Sequence, residues 1–542
     1  MRVFGYVKKY AQQYIFLAVM FSLLNLIIWA TSMIFPYITG KYIDVICMTK
    51  DKSVIYNFTS RLILVIVIFI MSSYGVSIVN AKLKAQISYH MNISVIEHLK
   101  RLPLLYFNEV DIAYMNQRIN SDTSYITSFV IENFINLPVK AITIVFLTIY
   151  IMMLNLRLGS SLIILIPMYI LVYYIFRKKL YKTEYAYRES QNKFFSKINE
   201  QLYRIKLLKI NSWYDKFSAE LYKSFMVLFR SLLQSTRVSY LFSNSGVAIG
   251  YFAKILLFFL GGLEIIKGRM TIGQFTIINA YFFMIIDSTG YFIGFGQSYQ
   301  GALVSFTRIN ELLEIKEEHN GQQQIDDINE ISLEEVSFAY HDKKKILHNF
   351  SYSFQKGKIY CITGRNGSGK STLLDLILGL YENYEGRIRY DHYNIRELDL
   401  YKARRNLIGM IEQEPMLIND TIKENLIYGT EQKFIKEEVV YYWCDRFHIY
   451  NFISQLPGGF DTNISENSSN ISGGEKQRIS LSRLFIKDPK VLIFDEASSA
   501  IDTSGISELK NVLSEMKQDK IIIFVSHNNN IISMADEVIS LD

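Results

Sequence analysis

The sequence predicts a multi-domain membrane protein, in which an all-α domain of six spanning helices precedes a separate α/β domain. Three observations lead to this fold class. Half of the 542 residues are hydrophobic and 20% are charged, whereas soluble chains carry about 25% charged residues. Near-continuous apolar runs recur through the first half of the chain and stop near residue 310. From about Ile331, short β-branched runs alternate with helical stretches, which is typical of α/β domains.

The composition excludes several classes of protein. So many apolar residues rule out a disordered chain, and three cysteines in 542 residues rule out a disulfide-rich secreted module. Cys47, Cys361 and Cys444 are far apart and lack the spacing of metal ligands. The formal net charge of +7 is spread along the chain rather than clustered, so we expect no nucleic-acid partner.

The apolar runs define the first domain. A helix needs about 20 mostly apolar residues to cross the hydrocarbon core of a membrane. The sequence therefore predicts a transmembrane domain over residues 1–312, a linker over 313–330 and the α/β domain over 331–542. The predicted spanning helices lie near residues 15–38, 59–80, 129–154, 159–177, 238–263 and 271–298.

The distribution of positive charge predicts the orientation. Residues 177–237 hold 14 Lys and Arg, and residues 82–118 hold five, whereas the loops that alternate with them hold three or fewer. Because Lys and Arg concentrate on the cytoplasmic side, we expect both ends of the chain and the α/β domain to be cytoplasmic. The two basic segments have helical periodicity, so the spanning helices should continue into the cytosol. A multi-pass protein of the bacterial inner membrane fits this pattern.

A phosphate-binding loop follows the first buried strand of the α/β domain. The strand Ile359–Thr363 runs directly into the glycine-rich segment 364–372, behind which an apolar helix begins. Glycines let backbone N–H groups wrap phosphates at a helix N-terminus, where the helix dipole also favours negative charge. We expect Lys370 to reach the β- and γ-phosphates of ATP and Ser371 to hold Mg²⁺. The candidate ligand-binding residues here are Gly364, Asn366, Gly367, Ser368, Gly369, Lys370, Ser371 and Thr372.

Two carboxylates end a second buried strand. Val491–Phe494 is followed by Asp495 and Glu496, and ligands of open α/β sheets bind at the carboxyl ends of strands. We expect Asp495 to contact Mg²⁺ through water. Glu496 is the candidate general base that polarises the attacking water.

A second anion-binding segment opens a later helix. Ser472-Gly473-Gly474 is followed by Glu475 and a helical run, and such a helix start can bind phosphate. One nucleotide does not need two such segments from one chain. We therefore expect Ser472, Gly473, Gly474 and Glu475 to cover a nucleotide held by another subunit, in a head-to-tail dimer with two ATP sites.

With these motifs in place, the chain resembles an ATP-binding cassette (ABC) exporter of the half-transporter kind over essentially its whole length. The resemblance implies roles for several more residues. Tyr340 would stack on adenine, Gln413 would sense Mg²⁺ and touch the membrane domain, and His527 would contact the γ-phosphate. Asp502, in Ser499–Asp502, would cross the dimer interface, and Glu466 would contact another domain. Segments 103–122 and 204–217 resemble the two cytoplasmic loops whose short transverse helices dock on the ATPase domains in this family.

The sequence departs from the family pattern in places. Glu475 stands where glutamine is usual, near the ribose, and need not disable hydrolysis. The sequence stops at Leu541-Asp542, right after the last predicted strand. The family's usual C-terminal helical tail is missing from this sequence, so the resemblance does not extend to tail-mediated dimer contacts. Because no protease domain precedes the first helix, we also expect export without leader cleavage.

The resemblance implies ATP-hydrolysing export by alternating access, with ATP and Mg²⁺ as ligands and a second copy as partner. A homodimer is favoured because the carboxylate and histidine motifs are both intact, and a heterodimer is the alternative. We expect the cargo to be a peptide or a hydrophobic, amphipathic compound. Lipid flipping or a non-transporting regulator of the same fold are the rival functions. Three intramembrane ionisable residues are functional candidates: Lys140, Asp287 and Lys254. The first two lie at similar depth and can pair, either to stabilise the fold, which is the interpretation we favour, or around a translocation pathway.

Overall fold

The computed structural model describes residues 2–49, 52–108, 110–163, 165–340, 345–430, 435–464, 471–496 and 503–541. By its internal contacts the chain divides into two compact units. The first consists of Met1–Leu102 and Tyr106–Glu317, and the second of Pro103–Leu105 and Glu318–Asp542.

The first unit is built from helices, most of them far longer than a membrane is thick. The longest has 53 residues, which corresponds to about 80 Å at 1.5 Å per residue, against a hydrocarbon core of about 30 Å. The excess length forms the helical extensions predicted from the basic segments. In chain order the helices are α1 (Arg2–Ala11), α2 (Ile15–Thr49), α3 (Lys52–Leu99), α4 (Leu104–Phe107), α5 (Ile112–Leu154), α6 (Leu156–Ile163), α7 (Leu165–Tyr203), α8 (Ile205–Asn211), α9 (Tyr214–Ile266) and α10 (Ile272–Leu313).

Within the described residues, five helical stretches are long and apolar enough to cross a membrane. They include the runs predicted near 15–38, 59–80, 129–154, 238–263 and 271–298. The fourth predicted run, 159–177, is helical on both sides of residue 164, which lies outside the described residues, and neither α6 nor α7 is among the five. The two short transverse helices expected from the cytoplasmic loops correspond to α4 and α8.

A buried ion network holds three helices of the first unit together. Arg308 of α10 is fully buried and donates from Nε to Asp122 Oδ2 of α5 at 2.8 Å. Its Nη1 atom donates to Glu189 Oε2 of α7, also at 2.8 Å. Glu189 further accepts from the Tyr114 hydroxyl at 2.9 Å, and Ser305 donates to Asp122 Oδ1 at 2.8 Å. Each buried charge therefore has an opposite charge and hydrogen-bond partners, as burial requires.

The second unit combines a parallel and an antiparallel sheet with surrounding helices. The parallel sheet has the order β11-β3-β10-β9-β6, and the antiparallel sheet has the order β2-β1-β4-β5. The strands are β1 (Glu330–Phe338), β2 (Leu347–Gln355), β3 (Ile359–Thr363), β4 (Tyr384–Tyr390), β5 (Tyr393–Asn394), β6 (Ile408–Ile411), β7 (Asp420–Thr421), β8 (Asn463–Ile464), β9 (Val491–Asp495), β10 (Ile521–Val525) and β11 (Glu537–Ser540). The helices are α11 (Lys370–Ile377), α12 (Leu400–Asn406), α13 (Ile422–Ile427), α14 (Glu437–Arg446), α15 (Tyr450–Gln455), α16 (Gly473–Lys487), α17 (Thr503–Met516) and α18 (Asn529–Ile532).

The parallel sheet brings the predicted motifs to one edge. Its central strands β3, β10 and β9 are almost completely buried on both faces, as expected for β-branched runs covered by helices. Because parallel strands point the same way, the segments after β3, β9 and β10 leave the sheet at the same end. The predicted fold class, a helical membrane domain followed by an α/β nucleotide-binding domain, is confirmed.

Candidate functional site

The glycine-rich loop connects β3 to α11 as the sequence predicts. Gly367 and Gly369 have φ angles of 84° and 97°, a conformation that strains residues with a Cβ atom. At Gly369 an added Cβ would also lie 2.7 Å from Ile346 Cγ2. Lys370 begins α11, and its ammonium donates to the carbonyl oxygens of Gly364 at 2.8 Å and Arg365 at 3.1 Å. The loop is therefore curled around the lysine at a helix N-terminus.

The loop forms one wall of a cavity of about 470 Å³. The rest of its lining comes from distant parts of the unit and includes Glu496 after β9 and Gln413 after β6. The candidate residues that line this cavity are Tyr340, Asn366, Gly367, Gly369, Lys370, Ser371, Thr372, Gln413 and Glu496. Nine of the candidates, separated by up to 156 residues in sequence, are thus brought together in one place.

The two carboxylates after β9 have different surroundings. Glu496 has a φ angle of 49°, its N–H donates to the Val525 carbonyl at 2.9 Å, and Gln413 Nε2 donates to its Oε2 at 3.1 Å. Asp495 accepts a hydrogen bond from Ser371. Burial, together with the charge of neighbouring Glu496, raises the pKa of Asp495 above its ordinary value. Asp495 thus lies against the phosphate-binding loop, and Glu496 faces the cavity.

Sequence reasoning missed a third carboxyl group in this region. Asp375 on α11 is half-buried, and its partial desolvation, followed by the charges of Asp495 and Glu412, raises its pKa to about 6. A signal was available, because Asp375 follows Ser371 by four residues and residues at that spacing share a helix face. The site therefore contains a third carboxyl group, Asp375, in addition to Asp495 and Glu496.

The residues present fit a phosphate group and a divalent cation. Ser368 Oγ is buried in the loop and has no hydrogen-bond partner within the described part of the chain, so its hydroxyl is available to donate a hydrogen bond to a phosphate oxygen. The Ser371 hydroxyl and the Asp495 carboxylate lie together, and such oxygen ligands are those that Mg²⁺ prefers. Ser371, Asp495 and Gln413 would hold the ion, directly or through water.

Tyr340, expected to stack on adenine, lies at the cavity with part of its ring covered. Its hydroxyl lies 3.0 Å from Thr372 Oγ1. Its ring makes edge contacts with Phe338, at a centroid distance of 4.9 Å, and with Tyr381, at 5.5 Å. These contacts fix the side chain at the mouth of the phosphate-binding loop.

The second anion-binding segment is a helix start of the expected kind. Ser472 is the N-cap of α16 and forms a reciprocal capping box with Glu475, in which Ser472 N–H donates to Glu475 Oε2 at 2.6 Å. Glutamate performs this role as well as glutamine does, which explains locally why Glu475 can stand where glutamine is usual. Over the residues that the structure describes, none of Ser472, Gly473, Gly474 and Glu475 lines the cavity.

The remaining candidates lie elsewhere or outside the described residues. His527 follows β10 at the same end of the sheet and is exposed, but it is not among the residues that line the cavity. Asp502, with the rest of Ser499–Asp502, and Glu466 lie outside the described residues.

The intramembrane residues Lys140 and Asp287 form the expected pair. Lys140 Nζ donates to Asp287 Oδ2 at 2.6 Å, joining α5 to α10. Lys254 lies with its ammonium 4.4 Å from the centroid of the Phe283 ring.

Comparisons with known proteins agree with these features. The family described as ABC transporter transmembrane region matches residues 16–289, and the family described as ABC transporter matches residues 347–499. The lactococcin-G-processing and transport ATP-binding protein of Lactococcus lactis is 31% identical over 389 residues, which is 70% of this chain and 54% of that relative. The chain thus spans about half the length of that relative.

Two further known proteins are matched over a larger share of their own length. A Staphylococcus aureus protein, provisionally named as a multidrug export ATP-binding/permease protein, is 26% identical over 84% of this chain and 79% of its own. A solved structure of a bacterial Atm1-family ABC exporter with ATP bound has a TM-score of 0.88, covering 98% of this chain and 94% of the other at 20% identity. This last similarity establishes the fold.

Proposed function

The chain belongs to the ABC transporter family, and from this premise we propose that it is an ATP-hydrolysing exporter that works as a dimer. It is a multi-pass membrane protein with a fused nucleotide-binding domain. The observation that carries the proposal is the cavity in which the phosphate-binding loop meets Gln413 and Glu496. A loop that binds phosphates and a carboxylate that can activate water are the two parts that hydrolysis requires.

Glu496 acts as the general base. Its carboxylate faces the cavity and is oriented by the amide of Gln413, so it can accept a proton from the water that attacks the γ-phosphate. Lys370 offers its charge to the phosphate oxygens, which become more negative as the bond to the leaving diphosphate lengthens. Bound Mg²⁺ would neutralise charge on the phosphate oxygens.

The second copy completes each site. Ser472, Gly473 and Gly474 form a helix start that can bind phosphate, and they do not line the described cavity of their own chain. We place them over the nucleotide of a partner, in a homodimer with two equivalent sites. Binding of two ATP molecules then favours the closed pair, and hydrolysis resets it.

The cargo class rests on the relatives and on the membrane unit. Two relatives carry names of lactococcin-G processing and transport and of multidrug export. One cavity of the membrane unit, of about 700 Å³, is lined mainly by aromatic and aliphatic side chains. A peptide or amphipathic compound, moved out of the cytoplasm across a bacterial inner membrane, suits both.

The test is the ATPase activity of the purified protein in lipid nanodiscs with Mg²⁺. Because Glu496 supplies the base, we expect Glu496→Gln to reduce the hydrolysis rate by at least about 100-fold, while ATP still binds. The matched control is Glu438→Gln, which changes an exposed carboxylate on α14 and should leave the rate as it is. If Glu496→Gln hydrolyses ATP as fast as the parent protein, Glu496 is not the base.

A further inference from the structure

A cavity in the membrane unit carries an excess of positive charge. We call it the basic cavity; it has a volume of about 650 Å³, and its lining includes side chains from α5, α9 and α10. Its ionisable lining residues are two lysines and one aspartate. They are Lys140, Lys254 and Asp287, and the lining also includes Tyr169, Phe283, Gly290 and Gly294.

One of the two lysines is neutralised and the other is not. Lys140 pairs with Asp287 at 2.6 Å. Lys254 has its ammonium 4.4 Å from the Phe283 ring centroid, a contact that stabilises a cation only in part. No carboxylate in the described part of the chain lies within ion-pair distance of Lys254. The basic cavity therefore keeps a net charge of about +1 in each chain.

These charges lie inside the hydrocarbon region. Counting about 1.5 Å per residue from the outer ends of the predicted spans places Lys254 about 14 Å deep, Lys140 about 21 Å deep and Asp287 about 24 Å deep, in a core of about 30 Å. An ionisable side chain at such depth is costly, and its presence indicates a function.

An apolar cavity lies beside the basic one. We call it the aromatic cavity; it has a volume of about 700 Å³, and Tyr169 of α7 lines both cavities. Helix α10 also contributes to both. The basic cavity is lined by Asp287, Gly290 and Gly294 of this helix. The aromatic cavity is lined by a second set at similar helical spacing, Phe292, Phe295 and Tyr299.

The glycines of α10 keep the basic cavity open. A Cβ atom built at Gly290 or at Gly294 meets nothing within 4 Å, so neither glycine is required by close packing. Their effect is to leave space beside Lys254. A molecule with a charged end and an apolar body would fill the two cavities together.

We propose that the basic and aromatic cavities form one substrate site for an amphipathic organic anion. Its acidic group would pair with Lys254, and its apolar body would lie on the aromatic face of α10. The proposal rests on the proposed export function and narrows its substrate class. The acidic group could be the carboxylate of an amphipathic solute or the phosphate of a lipid headgroup, because Lys254 would recognise either.

The experiment uses three probes that share one apolar chain. The full-length protein in nanodiscs of phosphatidylcholine is titrated with N-dodecanoylglycine, with its neutral amide and with dodecyltrimethylammonium, and ATPase stimulation is recorded. We expect the anion to stimulate at the lowest concentration. If the amide or the cation stimulates equally well at the same concentration, the site does not select anions and the proposal is overturned.

Substitutions then assign the selectivity to Lys254. Lys254→Met keeps the length of the side chain and removes the charge, so the half-maximal concentration of the anion should rise about tenfold, and that of the amide should not change. Lys254→Arg should restore the anion response. The matched control is Lys267→Met, at the exposed outer end of α9, which should leave the basal rate and the anion response unchanged. An anion response that survives Lys254→Met overturns the proposal.

Two further measurements test the site by a change that leaves its charge unaltered and distinguish a lipid phosphate from the carboxylate of a solute. Direct binding of N-dodecanoylglycine to Gly290→Leu, which fills the basic cavity without altering charge, should weaken as well. The nanodisc lipid phosphatidylcholine is then replaced by phosphatidylglycerol. If a lipid phosphate is the natural ligand, phosphatidylglycerol should compete with N-dodecanoylglycine in the parent protein and not in Lys254→Met. If the natural ligand is a solute, phosphatidylglycerol should not compete. Either result supports the shared anion chemistry, whereas competition that is independent of Lys254 contradicts it.

Failure of this proposal and failure of the proposed function give different results. A parent protein with brisk basal hydrolysis but no preference among the three probes overturns only the anion site. A parent protein with no ATP hydrolysis in any lipid contradicts the export function itself.

Discussion

Glu496, the candidate general base, adopts a strained backbone conformation. A left-handed φ of 49° costs a residue other than glycine about 1–2 kcal/mol, and here the backbone is held by the bond from Glu496 N–H to Val525. The turn directs the carboxylate toward the cavity and the amide of Gln413. Asp495, one residue earlier, remains against Ser371. The two neighbouring acids can therefore serve different roles.

The three cysteines differ sharply in their expected reactivity. Cys361 and Cys444 are buried, and burial raises their pKa values to about 11 and about 12. Only the thiolate reacts with maleimides, so both should be inert near pH 7.5. Cys47, near the end of α2, is exposed, and the predicted orientation puts it outside the cell.

We therefore expect the protein to incorporate about one maleimide per chain when intact cells are treated with a membrane-impermeant reagent. The label should be lost in Cys47→Ser. Mass spectrometry of the purified protein locates the label. Labelling of Cys47 only after the cells are opened would reverse the proposed orientation.

At the scale of elements, α5, α7 and α10 are joined through the buried Arg308. Its two carboxylate partners are Asp122 and Glu189. Without Arg308, the buried Asp122 keeps only the Arg188 guanidinium, at 3.8 Å, as an opposite charge, and removing one side of a buried ion pair costs up to about 3–5 kcal/mol. We expect Arg308→Met to lower the thermal unfolding temperature of the detergent-solubilised protein strongly.

Removing the opposite charge as well should reverse part of that loss. The double variant Arg308→Met with Asp122→Asn removes the buried carboxylate that has lost its closest opposite charge, while Arg188 keeps its partner Glu184 at 3.0 Å. Its unfolding temperature should therefore exceed that of Arg308→Met alone. Lys193→Met, which removes a more exposed partner of Glu189, is the control and should change stability little. Equal unfolding temperatures for Arg308→Met and the control would show that the network does not hold the helices.

Some of these structural features could be predicted from the sequence and others could not. The loop after β3 and the acids after β9 were predictable, because strand, turn and helix signals there are local and the chemistry demands particular residues. The pairing of Lys140 with Asp287 could be inferred from their similar depth. The network around Arg308 could not, since its partners lie 186 and 119 residues away and no periodicity reports such contacts.

In the whole molecule, the proposed ATP site is complete only with a second copy of the chain. The cavity at the phosphate-binding loop has residues for phosphate, cation and water, and the segment that begins α16 belongs to none of its described walls. A site assembled from two chains explains why one chain carries two phosphate-binding helix starts. It also makes ATP binding and dimer closure a single event, which is how hydrolysis could drive movement of the membrane helices.

The most direct test counts the ATP retained by dimers assembled from two differently tagged chains, all of which carry Glu496→Gln to slow hydrolysis. In the first dimer, one chain carries Lys370→Ala and the other carries Ser472→Arg. In the second dimer, one chain carries both changes and the other carries neither. The measurement is labelled ATP per dimer after rapid gel filtration.

If each site combines the phosphate-binding loop of one chain with the Ser472 segment of the other, we expect the first dimer to retain about one ATP. One of its two sites then keeps both an intact loop and an intact Ser472 segment. We expect the second dimer to retain none, because each of its sites lacks one part. The reverse result, with ATP retained by the second dimer and not by the first, would place each complete site within a single chain and contradict the account.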